Sequence, residues 1–163
     1  MEKKIIPNDI FFPEIASLLA EGKEFILKVK GYSMLPFIRH NFDSVLLKKA
    51  DTYRVGDIIL AYTTYGKFVL HRIIAIEGTR ITLMGDGNLQ GVEYTSYDQI
   101  AGKALYVIRG ENGKRVYCYS LSLKLKTWLW RRCLPIRRYL LKVYRIHNGM
   151  DGDSYASALK KMF

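Results

Sequence analysis

The feature that most constrains the fold is a series of short apolar segments between residues 23 and 119. Each segment is five to ten residues long, and several are separated by glycine turns. Short alternating segments of this kind predict antiparallel strands. The predicted strands are Phe25–Lys30, Ser44–Lys48, Asp57–Thr63, Phe68–Glu77, Arg80–Met84 and Gly102–Arg109. An Asn112-Gly113 turn adds a hairpin strand, Arg115–Tyr119. The sequence therefore predicts a compact, mainly β domain over residues 23–119.

Helical periodicity flanks this β domain on both sides. In residues 1–22, Asn8 or Asp9 can cap a helix that stops at Gly22. Residues 120–163 carry two apolar stripes that Pro135 separates, with cations on the opposite face of the second stripe. We predict a basic amphipathic helical tail, loosely held from His147 onward and with a short helix within residues 154–163.

Charge is concentrated in that tail. The chain has a net charge of +11, and residues 112–150 contain ten Lys or Arg and no Asp or Glu.

The longest uncharged run, residues 58–66, has nine residues, whereas a membrane-spanning helix needs about 20. The N-terminus lacks the apolar core of a secretory signal, and the cysteines Cys118 and Cys133 lack zinc-site spacing. We therefore expect a cytoplasmic protein without a metal or cofactor.

Three residue types in the β domain suit amide hydrolysis. Ser33 lies in Gly31–Pro36, where a strand ends in a turn that would leave its hydroxyl free. His71 alternates with apolar residues in a predicted strand, which favours a neutral imidazole able to accept a proton. Asp86 ends the next strand and could orient that ring, as the acid of a Ser/His/Asp triad does. Taken alone, Ser33 is more typical of a capping residue, His71 of a core histidine and Asp86 of a turn.

In their order, six segments resemble the signal peptidase family of the S24/S26 serine peptidase clan. The resemblance is to its Ser/His branch, found in endoplasmic reticulum, archaeal and spore-former enzymes, and it covers about residues 25–107. The matching segments are Gly31–Pro36, Asp43–Leu46, Tyr53–Ile59, Val69–Ile73, Gly85–Asn88 and Ile100–Ala104.

The resemblance implies roles for these residues. Ser33 would be the nucleophile and an oxyanion donor through its N–H, His71 the general base and Asp86 the orienting acid, with Arg72 structural. Members of this branch usually carry another acid shortly after the Gly85–Asn88 segment. Glu93 and Asp98 are the acids nearby, so the orienting acid stays open.

Two further residues have an expected role by the same resemblance. Lys103 is the alternative base, in the manner of Ser/Lys enzymes. His40, in the loop that follows the nucleophile segment, is expected to be solvated.

Two functions follow as hypotheses. The first is a serine endopeptidase without a membrane anchor, which cleaves a leader or propeptide from a dedicated peptide or protein substrate. The alternative is a catalytically inactive module with the peptidase fold, which docks on a membrane surface or a partner through its tail.

The aromatic and basic residues 115–145 could contact a membrane surface or a membrane protein, or form the solvated rim of packed helices. Nucleic acid is not expected, because fewer than 25 residues precede the first strand. That length does not accommodate a DNA-binding module.

Overall fold

The computed structural model describes residues 8–148 of the chain, with side chains from residue 11. Helix α1 covers Asn8–Ala20. The strands are β1 (Phe25–Lys28), β2 (Ser44–Lys48), β3 (Ile58–Tyr62), β4 (Phe68–Glu77), β5 (Arg80–Met84), β6 (Glu93–Thr95), β7 (Ile100–Arg109) and β8 (Lys114–Tyr117). Helices α2 (Leu121–Arg132) and α3 (Arg137–His147) follow, joined by a 3-10 turn, Leu134–Ile136. The predicted fold, mainly β with an N-terminal helix and C-terminal helices, is confirmed.

All eight strands form one curled antiparallel sheet, in which seven follow the order β1-β2-β7-β3-β4-β5-β6 and β8 pairs with β7. The long strand β7 lies between β2 on one side and both β3 and β8 on the other. The hairpin β3–β4 places Ile59 opposite His71, and β4–β5 places Arg72 opposite Met84. This register decides which side chains of the candidate site share a face.

The sheet has an apolar cluster on each face. Strand β3 contributes to both, because Ile58 and Leu60 pack in one cluster and Ile59 and Ala61 in the other. Helix α1 covers the larger cluster with Ile15 and Leu19, which are fully buried. It approaches β7 so closely at Gly102 that a Cβ there would lie 2.9 Å from Leu19 Cδ1. The core therefore fixes the sheet from which the site residues project.

The predicted strands are present with small shifts of their ends, and β6 is an additional strand of three residues. Pro135 lies in the 3-10 turn between α2 and α3, where the sequence predicts an interruption. The short helix predicted within residues 154–163 lies outside the described residues. Between residues 8 and 148, no helix has both the length and the apolar character to cross a bilayer.

Candidate active site

Ser33 lies at the start of a tight turn between β1 and β2. The amide of Leu35 donates to the Tyr32 carbonyl oxygen at 3.2 Å, and that of Ile38 donates to Met34 at 2.9 Å. The side chains of Met34, Leu35 and Ile38 are buried, whereas Ser33 is half-buried. The turn is thus anchored in the core by its apolar residues while its serine remains accessible.

His40 supports this turn, contrary to the expectation of a solvated loop residue. The amide of Gly31 donates to His40 Nδ1 at 2.7 Å, and the Tyr32 ring lies 4.7 Å from the imidazole, centroid to centroid. Burial, followed by the charge of Lys30, lowers the pKa of His40. A neutral imidazole is what this contact requires, because Nδ1 must accept a hydrogen bond.

His71 is buried on β4, and its ring contacts a carboxylate. His71 Nδ1 lies 2.9 Å from Oε2 of Glu93, the first residue of β6. Directly paired residues project from the same face of a sheet, and Ile73 pairs with Leu83, which pairs with Glu93. Because side chains alternate along a strand, His71 shares that face with Ile73 and therefore with Glu93.

The charge on Glu93 decides the tautomer of His71. Burial raises the pKa of the Glu93 carboxyl. The hydrogen bond to His71, the charge of His71 and the contact with Lys67 lower it by more, so the pKa of Glu93 lies below its ordinary value. Lys67 Nζ is 3.6 Å from Glu93 Oε1. An ionised carboxylate can only accept, so Nδ1 of His71 carries the proton. In the neutral ring, Nε2 then has the lone pair that a general base needs.

Asp86, predicted to orient His71, contacts Arg72 instead. Arg72 Nε and Nη2 donate to the two Asp86 carboxylate oxygens at 2.8 and 2.6 Å, and both residues are buried. Arg72 pairs with Met84, so both lie on the face opposite His71, and Asp86, beyond the end of β5, contacts that face through Arg72. The predicted contact between Asp86 and His71 is therefore wrong, and Glu93 occupies that place.

A glycine turn at residues 85–88 contacts the backbone of Ser33. The Gly87 amide donates to the Ser33 carbonyl oxygen at 2.7 Å. A Cβ on Gly85 would overlap that oxygen and lie 3.0 Å from Ser33 Cβ. Gly85 directly follows Met84, the last residue of β5, and Met84 pairs with Arg72, the neighbour of His71 on β4.

Ser33 and His71 are not hydrogen-bonded to each other in the described part of the chain. Hydrogen bonds between a nucleophile and its base are often long before substrate binds and tighten in the complex. The arrangement consists of a buried His71–Glu93 pair, with Ser33 in a turn that contacts Gly85, the residue that follows β5.

Lys103, the alternative base, has partners elsewhere. Its ammonium lies 3.3 Å from Asp57 Oδ2 and donates to the Thr52 carbonyl oxygen at 3.1 Å. The thiol of Cys118 is a poor nucleophile, because burial raises its pKa to about 11. Among the described residues, neither group is hydrogen-bonded to Ser33.

The tail helices contact the turns that support Ser33, which sequence reasoning did not anticipate. Trp130 Nε1 of α2 donates to the Asp86 carbonyl oxygen at 2.7 Å, and its ring lies edge-on to Phe37 of the serine turn. Arg137 of α3 is buried and donates to the Asn88 carbonyl oxygen at 2.9 Å. The 85–88 turn is therefore held between the serine turn and the tail.

The curled sheet, the serine turn and the histidine–carboxylate pair together suggest a peptidase-type domain. Residues 3–110, about two thirds of the chain, match the family model described as Peptidase S24-like. The chain belongs to this family. A search of curated proteins found no match.

Proposed function

We propose that the chain is a serine endopeptidase of the signal-peptidase-like type, which removes a leader or propeptide from a dedicated peptide or protein substrate. The observation that carries the proposal is the buried His71–Glu93 pair, with Ser33 held against Gly85 at the end of the neighbouring strand β5. Membership in the S24-like peptidase family supports the same chemistry. The assignment to the signal-peptidase-like branch rests on the six matching segments.

In the proposed reaction, Ser33 Oγ attacks the scissile carbonyl carbon while His71 Nε2 takes the hydroxyl proton. The C–N bond then breaks, and the imidazolium gives that proton to the leaving amine. Water, deprotonated by His71, hydrolyses the acyl-enzyme and restores Ser33. Glu93 keeps the proton on Nδ1 and stabilises the imidazolium charge through the 2.9 Å contact.

The Ser33 N–H is the proposed donor to the oxyanion. It belongs to the same residue as the nucleophile, in a turn fixed by three buried side chains. A rigid donor lowers the barrier because it needs no reorganisation when the charge develops. This proposal assigns no role in the chemistry to Asp86 or Lys103.

Cleavage of a mixed synthetic peptide library, followed by mass spectrometry, tests the proposed activity. Wild-type protein is expected to cut a subset of peptides, and both Ser33→Ala and His71→Ala proteins are expected to cut none. The Ser122→Ala protein is the matched control, because Ser122 is exposed on α2 and should leave cleavage unchanged.

Labelling of Ser33 by an alkyl fluorophosphonate would add support, although slow reaction with this reagent would not contradict the proposal. Cleavage that persists in the Ser33→Ala protein would overturn the mechanism. A folded wild-type protein that cuts neither the library nor a co-expressed precursor would instead favour the inactive binding module.

A further inference from the structure

Helix α2 turns its apolar stripe away from the protein. Leu121, Leu125, Trp128 and Leu129 recur at helical spacing and are 55 to 85% exposed. The opposite side of the helix packs inward through Leu123 and the half-buried Trp130. The contacts that hold α2 on the domain are thus independent of its outward stripe.

Helix α3 repeats this arrangement. Ile136, which directly precedes the helix, and Tyr139, Val143 and Ile146 within it are 51 to 64% exposed. Arg137 and Leu141, which share the inward side, are buried. Exposed Leu134 lies in the 3-10 turn between the two helices. Exposed large apolar side chains therefore recur along the tail from residue 121 to residue 146, and an exposed apolar patch rimmed by polar residues marks an interaction site.

Cations accompany these apolar side chains. The exposed ones are Lys124, Lys126, Arg131, Arg132, Arg138 and Lys142, and no Asp or Glu occurs between residues 112 and 150. Arg132 lies 4.9 Å from the Trp128 ring centroid, so an aromatic and a charged group share one location. Exposed apolar and aromatic groups beside exposed positive charge are the chemistry that binds a membrane interface.

We propose that the outward face of α2 and α3 docks on the surface of an anionic lipid bilayer, with the helices lying in the interface. The outward rings and aliphatic side chains would enter the headgroup region, and the surrounding Lys and Arg would pair with lipid phosphates. A second copy of the chain fits this face poorly, because each copy would bring ten cations and no acid from residues 112–150. This inference does not depend on peptidase activity.

Vesicle flotation with the full-length protein tests the docking surface. Vesicles of phosphatidylcholine alone are compared with vesicles that contain one quarter phosphatidylglycerol, at three NaCl concentrations from 0.05 to 0.5 M, roughly the range over which screening becomes strong. Binding is expected only with the anionic vesicles and is expected to fall as salt rises. Trp emission should shift to the blue on binding, and the shift should be largely lost in the Trp128→Phe protein.

Two double variants separate the apolar and charged contributions. Trp128→Ser/Val143→Ser removes one outward apolar side chain from each helix and should weaken binding about tenfold or more. Its control is Val55→Ser/Tyr65→Ser, which changes exposed apolar residues of the β domain.

Lys124→Gln/Lys142→Gln should weaken binding about fivefold per charge. Its control is Lys28→Gln/Lys30→Gln, which removes two exposed cations elsewhere.

Circular dichroism and thermal melting establish that each variant is folded. Absence of binding to anionic vesicles would overturn the proposal, and so would equal losses in the tail variants and their controls. If the wild-type protein elutes as a dimer and Trp128→Ser/Val143→Ser elutes as a monomer, a second copy covers this face and the proposal fails.

Discussion

The assignment of Glu93 as the residue that positions His71 makes a strong prediction about two carboxylates. Glu93→Gln keeps the size of the side chain and an oxygen that can accept from His71 Nδ1, but it removes the negative charge. Asp86→Asn makes the same change at the residue that the sequence alone favoured. The two variants should fail in different ways, because Glu93 contacts His71 and Asp86 contacts Arg72.

The magnitude for Glu93→Gln follows from the position of the charge. In the proposed reaction, a positive charge forms on the His71 ring when Ser33 is deprotonated, and Nδ1 of that ring is 2.9 Å from the Glu93 oxygen. Two unit charges about 4 Å apart attract by about 4 kcal/mol at an effective dielectric constant near 20. Glu93 is only 13% exposed, but Lys67 lies 3.6 Å from its other oxygen and offsets part of the attraction. We expect kcat/KM to fall about 10²- to 10³-fold.

The measurement is kcat/KM on a peptide that the wild-type protein cleaves, together with the free energy of unfolding in urea. Glu93→Gln should unfold near the wild-type midpoint. Asp86→Asn should instead lose about 3 to 5 kcal/mol of stability, because it leaves the buried Arg72 charge uncompensated. The assignment would be refuted if kcat/KM of Glu93→Gln stayed within threefold of wild type. It would also be refuted if kcat/KM per folded molecule fell further in Asp86→Asn than in Glu93→Gln.

Three other predictions test how the serine turn is supported. Gly85→Ala should abolish peptide cleavage, because its Cβ would overlap the Ser33 carbonyl oxygen; activity near wild type would contradict the described packing. Trp130→Phe loses the hydrogen bond to the 85–88 turn, and it should cost about 1 kcal/mol in urea unfolding and lower kcat several-fold, whereas Trp128→Phe should change neither. His40 has a pKa below its ordinary value of 6.5, so its contribution to stability is complete above pH 6.5 and declines as pH falls. Between pH 7.5 and 5.5, the free energy of unfolding in urea should fall by up to about 1.4 kcal/mol more in the wild-type protein than in His40→Asn. An equal fall in both proteins would refute this role.

The sheet was predictable because periodicity and glycine turns report strand formation directly. The same alternation places His71 and Arg72 on opposite faces, and the register carries that division to Met84 and Asp86. A prediction that considered only the closeness of Asp86 along the chain could not resolve the two faces. Knowledge of the strand partner of residue 72 would have been enough to separate them.

Glu93 was harder to identify because β6 has only three residues, Glu93–Thr95. Three residues are too few for an alternating pattern to be detected. Its contact with His71 depends on the pairing of Leu83 with Glu93, which links residues from separate turns. The available signal was chemical: an acid soon after Gly85–Asn88, one of two that the resemblance left open.

The tail shows a different limit of sequence patterns. Periodicity correctly predicted two helices separated near Pro135, but a stripe of apolar residues does not say what it faces. In α2 the packing is made by Leu123 and by Trp130, whose indole N–H finds a backbone partner. Polar contacts to carbonyl oxygens, through Trp130 and Arg137, leave the apolar stripes outside.

The 85–88 turn has one more consequence, because it lies between the two proposed binding sites. Its backbone supports Ser33 on one side and receives Trp130 and Arg137 on the other. If lipid at the tail strengthens peptide binding by some factor, thermodynamic linkage requires that peptide strengthen lipid binding by the same factor. A non-cleavable peptide should then raise the affinity of the Ser33→Ala protein for vesicles. The factor should equal the one by which vesicles raise the affinity of that protein for the peptide. Four residues would thereby join recognition of the substrate to recognition of the surface.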